Sequence, residues 1–309
     1  MLMALHSVAV AEPLGFAVAR QGGPLYASAG AISKLAKRDE GIDLRLRSHQ
    51  STTQFLPVVD GGELAFGMAN AMELRFAYDG VKLFEGRRLE NLRVVGVLFP
   101  THITMALLAA DSETMNGNID NLRNKRLPGG YSGAPVGELL INASLANAGL
   151  DEADVEKVPV TGFTDGMEYF VTGRVDAAMV ILGAGFVADM ERRAGKLRLL
   201  SLNDDDDSVR ALEQQIPVAR ITPMKANPRL VGMDRPINVM TYNFLVFANR
   251  NTPEDAVYKI ARILYEQQPE LAKLAPMFRL SNPENIVEDI GVPYHPGAIR
   301  YYRENSIWP

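Results

Sequence analysis

Arg20, Gln21, Gly22 and Gly23 precede Pro24, Leu25 and Tyr26, so a guanidinium and two glycines stand where a helix-like run begins. These residue types suit capture of an anion. A guanidinium pairs with a carboxylate through two parallel hydrogen bonds. Glycine lets backbone N–H groups approach a small ligand, and the start of a helix carries partial positive charge. The stretch has neither G-x-G-x-x-G nor G-K-[ST], which argues against a nucleotide loop. Three later stretches gather similar groups: His49, Gln50, Ser51, Thr52 and Gln54; Tyr131, Ser132 and Ala134 after Gly129-Gly130; and Thr161, Phe163 and Thr164. With Asn70 and Gly183, the candidate ligand-binding set is Arg20, Gln21, Gly22, Gly23, Tyr26, Ser51, Thr52, Gln54, Asn70, Tyr131, Ser132, Ala134, Thr161, Phe163, Thr164 and Gly183. Ser51, Thr52 and Gln54 suit two roles, donating to a ligand or capping the helix that follows. Tyr26 and Tyr131 suit a pocket wall, with a polar tip on an apolar ring.

Other chemistries find little support. The four histidines, His6, His49, His102 and His295, lie far apart without metal-ligand spacing, and there are no cysteines, so no metal and no thiol nucleophile is expected. His295 precedes Pro296, a residue suited to the first helical position, so His295 reads as structural. The acidic run 203–208, "NDDDDS", lacks the alternating ligands and closing Glu of a calcium loop and reads as a solvated turn. No G-x-S-x-G elbow or other catalytic constellation is present, and neither enzyme activity nor a cofactor is expected.

The elements that must position these groups follow from the wider pattern. At 309 residues, with 47% hydrophobic and 22% charged residues, the chain has the composition of a globular protein long enough for two lobes. A net charge of −5 argues against nucleic acid as a partner. No apolar run reaches the roughly 18 residues that span a bilayer. Apolar runs of strand length alternate with helical patterns, which predicts an α/β fold with largely parallel strands. The order also repeats. Segments 56–70 and 168–182 each run from a helix end through a glycine, Gly62 or Gly173, into an apolar strand. Gly22-Gly23 and Gly129-Gly130 each close a strand and open a helix. Two copies of one α/β unit, with turns at 20–26, 48–54, 129–134 and 161–165, predict a ligand crevice at the strand ends. The opening "MLMALHSVAVAEP" reads as a shortened export signal, with Ala9 and Ala11 in a small-residue cleavage pattern.

In this order the residues resemble the TAXI-type solute-binding proteins of TRAP transporters. The likeness runs through the early glycine turn with Tyr26, Ser51-Thr52-Thr53-Gln54, "AYDG" at 77–80, "NLRVVGVLFP", the second glycine turn, "AGL" at 148–150 and "TGRVDAAMVI". It is most specific in "GVPYHPGAIRYYRE" at 291–304. The resemblance implies a two-lobed periplasmic-binding-protein fold, each lobe a mostly parallel sheet flanked by helices, that closes on its ligand. Lobe 1 is expected over 1–98 plus 240–309 and lobe 2 over 99–239, with hinge crossings near Leu98–Thr101 and Asn238–Tyr242. It also implies a periplasmic monomer that carries a small organic anion to TRAP membrane subunits.

Two turns depart from the pattern of this family. Arg20-Gln21-Gly22-Gly23-Pro24-Leu25-Tyr26 adds a cation where relatives read Ser/Thr-Gly-Gly-Thr-Tyr-Tyr, and Gly133-Ala134-Pro135-Val136 replaces two hydroxyl donors with apolar groups. The expected ligand is a small organic acid, with amino acids and dicarboxylates among the candidates, and monocarboxylates or carboxylates bearing an apolar or aromatic part are expected to stabilise the protein more than glutamate or 2-oxoglutarate. The alternative function is a small-molecule decarboxylase or lyase on the same fold.

Overall fold

The computed structural model describes residues 12–112 and 117–309. The expected export signal, including Ala9 and Ala11, and His6 lie outside the described residues. The chain divides into two compact units. Unit 1 holds the described residues up to Ala69, then Ala77–Phe99 and Phe244–Pro309, and unit 2 holds Asn70–Phe76 and Pro100–Asn243.

In chain order, β1 (Leu14–Val18) leads to α1 (Pro24–Glu40), β2 (Leu44–Ser48), α2 (Thr52–Asp60), β3 (Phe66–Asn70) and α3 (Ala71–Asp79). The long β4 (Leu92–Leu108) passes from unit 1 into unit 2. Within unit 2 follow β5 (Arg126–Gly129), α4 (Val136–Asn147), β6 (Glu156–Pro159), α5 (Phe163–Val171), β7 (Ala178–Ile181), α6 (Gly185–Ala194), β8 (Leu197–Leu199), α7 (Asp206–Gln215) and β9 (Arg220–Met224). The second long strand, β10 (Ile237–Asn249), returns to unit 1, where α8 (Glu254–Glu266), α9 (Gln268–Leu274) and α10 (Pro296–Glu304) complete the chain.

The first three strands of unit 1 pair in parallel, as the apolar runs predict. β1 pairs in parallel with both β2 and β3, and β10 lies between β3 and β4. α1 covers this sheet with Ser28, Ala29, Ile32, Leu35 and Ala36, one face at helical spacing. Pro24 opens the helix, and Gly41 ends it at φ +67°. Phe16, Phe55, Phe66 and Phe247 fill the core, where Gly67 gives Phe247 its space: a Cβ there would lie 2.3 Å from the ring. The C-terminal segment seals the unit. His295 N–H donates to the Val94 carbonyl at 2.8 Å and the Tyr302 hydroxyl to the Val95 carbonyl at 2.9 Å, while Asn249 Nδ2 donates to the Val59 and Asp60 carbonyls that end α2.

Unit 2 corrects the expectation of a mostly parallel sheet in each lobe. β7 and β8 run antiparallel to β4, and β9 runs antiparallel to β10; β5 and β6 form a separate parallel pair. Strand polarity depends on where the connection leads, which a run of apolar residues does not record. The sheet is therefore mixed. Its core gathers Phe170, Val180, Val187, Met190, Leu199 and Val239. Two sequence readings acquire structural detail here. His295 caps α10, its Nδ1 accepting from Gly297 N–H at 3.2 Å. The acidic run 203–208 starts α7, where the Asp205 carboxylate accepts from Ser208 N–H at 3.0 Å.

Candidate functional site

All four expected turns join a strand to a helix: β1 to α1, β2 to α2, β5 to α4 and β6 to α5. Within unit 1 the first two come together. Gln21 N–H donates to Ser48 Oγ at 3.1 Å, and Arg20 Nη2 donates to Gln50 Oε1 at 2.8 Å. Gln50 is itself held, its N–H donating to Gln54 Oε1 at 3.2 Å. Arg20, Gln21 and Gly22 are exposed, Gly23, Tyr26, Ser51 and Thr52 are half-buried, and Gln54 is exposed.

Neither α1 nor α2 receives a side-chain cap at its start. Gly23, at the cap of α1, has no side chain to offer, and Ser51 caps α2 by position without a side-chain hydrogen bond. First-turn N–H groups have no acceptor within their own helix. Those of Leu25 and Tyr26 therefore look outward from the helix for an acceptor. Gly22 makes this exposure possible, because φ is +86° there and a side chain would be strained. Of the two roles open to Ser51, the structure assigns no side-chain cap. Near by, His49 packs against Phe55 with ring centres 5.6 Å apart, and burial lowers its pKa, so it adds no strong cation at neutral pH.

The turns of unit 2 are built differently. Gly133 N–H donates to the Thr161 carbonyl at 2.8 Å and Ser132 N–H to the Val160 carbonyl at 3.3 Å, so the third and fourth turns are tied together by their backbones. Gly130 N–H donates to Glu138 Oε2 at 2.6 Å. Thr161 donates to Asp165 Oδ2 from its N–H, at 3.1 Å, and also from its hydroxyl. Both acceptors are carboxylates at the third position of their own helix, where negative charge offsets the helix dipole, although neither helix start has a side-chain cap. Lys157 pairs with Glu138 and donates to Asn142 Oδ1 at 2.8 Å.

Ser132, Thr161, Phe163 and Thr164 are exposed and Ala134 is half-buried, as a binding surface requires. Tyr131 is not at that surface: it is 1% exposed, with its ring under α4 and 5.4 Å from that of Phe163. The expected pocket wall is instead an interior support. Burial raises the Tyr131 hydroxyl's pKa, and Glu138 adds to the shift. Glycines make the space for the ring. A Cβ on Gly137 would lie 2.3 Å from it, and one on Gly166 would lie 3.6 Å from its hydroxyl.

Two candidate residues stand apart from these turns. Asn70 caps α3, with Oδ1 accepting from Glu73 N–H at 2.7 Å and Nδ2 donating to the Glu73 carboxylate; both residues are buried. Gly183 lines a recess of about 150 Å³ with Val180, Leu182, Val187, Leu199 and Leu230, a wall to which none of the turn residues contributes. Glu138 and Asp165 were absent from the sequence-derived set. The signal was present, because an acid in the first turn of a helix is a usual helix-start residue.

The order and packing of the elements define the α/β two-domain architecture of periplasmic solute-binding proteins. The chain belongs to the NMT1-like family, whose model matches residues 16–305. Among solved structures it is similar to PhnD1 from Prochlorococcus marinus in complex with methylphosphonate, with a TM-score of 0.56 at 11% identity, covering 95% of this chain and 96% of that one. It is also similar to a TctC solute-binding protein from Polaromonas, with a TM-score of 0.52 at 14% identity over 86% of each chain. A third similar structure is the periplasmic aliphatic sulphonate binding protein SsuA from Escherichia coli, with a TM-score of 0.50 at 15% identity, covering 96% and 84%. At these identities the likeness is one of fold. No helix among the described residues is long and apolar enough to cross a membrane.

Proposed function

We propose that this protein is a periplasmic solute receptor of the TAXI type, which binds a small organic acid and delivers it, as a monomer, to the membrane subunits of a TRAP transporter. One observation carries the reading: in unit 1 the exposed Arg20 guanidinium stands in the turn before two helices that have no acid in their first turns, and among the described residues no carboxylate pairs with it. Membership of the NMT1-like family and the solute-receptor fold support it.

In this reading one ligand is held by the turns of unit 1, through Arg20, Gln21, Gly22, Gly23, Tyr26, Ser51, Thr52 and Gln54, and by the exposed turn residues of unit 2. Lobe 1 is residues 1–98 with 240–309, lobe 2 is 99–239, and the crossings near Leu98–Thr101 and Asn238–Tyr242 act as hinges. The ligand favours a closed state because only that state engages both sets of turns. The permease then reads the closed form.

The test is a thermal-shift screen over organic acids, followed by small-angle scattering with the best binder. A carboxylate should raise the melting temperature and reduce the radius of gyration at saturation. An unchanged profile at proven saturation would refute closure, and no stabilisation by any organic acid would refute the ligand class.

A further inference from the structure

We propose that Glu138 and Asp165 restrict the ligand to a single carboxylate, making this a receptor for monocarboxylates with an apolar remainder. The inference rests on the proposed solute-receptor function and names the substrate class of that same site.

The argument lies in how equivalent positions of the duplicated α/β unit are filled. In α2 the third helical residue is Gln54, whose side chain reaches back to accept from Gln50 N–H at 3.2 Å. In α5 the third residue is Asp165, which reaches back in the same way to Thr161 N–H at 3.1 Å. The hydrogen bond is common to both copies, and only the charge differs. The other pair repeats the contrast. The third residue of α1 is Tyr26, and that of α4 is Glu138, which takes Gly130 N–H at 2.6 Å.

Neither turn helix of unit 1, α1 or α2, carries an acid in its first turn, and both turn helices of unit 2, α4 and α5, do. The turns of unit 1 therefore carry a guanidinium and no acid, while in unit 2 the Gly130 and Thr161 N–H groups are already held by carboxylates. Lys157 balances Glu138. Among the described residues Asp165 receives only the Thr161 hydrogen bonds, so its charge remains at the turn surface. Beside it Phe163 is 38% exposed, a large apolar ring open to solvent.

A second ligand carboxylate placed against this surface would find no free donor at Gly130 or Thr161 and would face like charge. An apolar chain would instead cover Phe163 and cost no polar desolvation. Discrimination by repulsion of the wrong ligand is a general means of specificity.

The test compares hexanoate with adipate, which have the same number of carbons and differ in the second carboxylate. Calorimetry at low ionic strength should give the wild-type protein a preference for hexanoate. In Asp165→Asn, which retains an amide oxygen for Thr161, the adipate-to-hexanoate affinity ratio should rise about tenfold, the size of a partly screened charge interaction. Glu138→Gln should raise it less, because Lys157 already offsets that charge. Asp207→Asn, a first-turn acid on α7, should leave the ratio unchanged. A ratio unmoved by Asp165→Asn while either acid binds overturns the proposal and leaves the receptor reading standing. So does a ratio raised equally by Asp207→Asn. Failure of both acids to bind any of these proteins overturns the receptor reading, and this proposal with it.

Discussion

Two glycines in helices, Gly30 and Gly137, should respond to alanine with opposite signs. Propensity alone favours both changes, because glycine in a helix costs about 0.5–1 kcal/mol relative to alanine. At Gly30, in the middle of α1, the nearest atom to a new Cβ is Leu46 Cδ1 at 3.9 Å, an ordinary contact. The propensity gain is then realised. At Gly137 the new Cβ would stand 2.3, 2.5 and 2.6 Å from three atoms of the Tyr131 ring. Contact between carbons needs about 3.5–4.0 Å, so the ring must retreat by more than 1 Å. It has little room: Tyr131 is 1% exposed, its backbone is held at φ +34°, and its hydroxyl lies against Gly166. Overpacking of this kind costs about 1–3 kcal/mol, which outweighs a propensity gain that is small in the first turn of a helix. Near 2–4 °C per kcal/mol, Gly30→Ala should raise the melting temperature by about 1–4 °C and Gly137→Ala should lower it by about 2–12 °C. Scanning calorimetry reads both, and it separates the transitions if the two units melt independently. A Gly137→Ala protein melting at or above the wild-type temperature would refute the reasoning. Tyr131→Leu should also cost less in the Gly137→Ala background than alone, the coupling expected of residues in contact.

Three further outcomes are expected. Arg20→Ala should weaken binding of the best carboxylate about tenfold, or about 1.4 kcal/mol, the low end for a charge-assisted pair because Arg20 is exposed; unchanged affinity by calorimetry would remove it from the site. His295 is fully buried, and burial lowers its pKa against smaller opposing effects from the Arg250 and Thr252 carbonyls and Glu254, so the unfolded chain takes up the proton first. Stability should thus fall as pH drops below about 6.5, by at most about 1.4 kcal/mol per pH unit from this group, and His295→Asn, which keeps a capping acceptor, should flatten the dependence of chemical denaturation on pH between 5 and 7. Tyr302→Phe, which removes the bond to the Val95 carbonyl, should cost about 1 kcal/mol or more in denaturant titrations, and a loss near zero would mean that water replaces the hydroxyl.

The parts of this fold written in local sequence were legible. Gly22, Gly62, Gly130 and Gly173 all adopt positive φ, and each marks the turn or helix end its surroundings suggest. Pro296 opened the last helix for the same reason: proline and glycine constrain their own backbone, so the signal does not depend on distant residues. Strand direction in unit 2 was not legible, since an apolar run such as Ala178–Ile181 pairs equally well either way until its connection is known. Tyr131 was misplaced for a related reason. Its burial depends on space left by Gly137 and Gly166, which are close only after folding. Glu138 and Asp165 were visible as helix-start acids, but their claim on Gly130 and Thr161 is a matter of geometry.

The threading of the chain also sets an order of assembly. All of unit 2 apart from Asn70–Phe76 is one continuous stretch, Pro100–Asn243, and every residue of the unit has been synthesised before Phe244 appears. Unit 1 has no such independence. β3 waits for the end of β10 to cover its edge, and Val94 and Val95 wait for His295 and Tyr302. During translation the earlier-made domain is thus the later one to close, with β3 already made while its partner β10 is still being added. Such a nascent chain stays open to chaperones and to a translocation channel, which accept unfolded polypeptide, until the region from Phe244 onward arrives to end that interval.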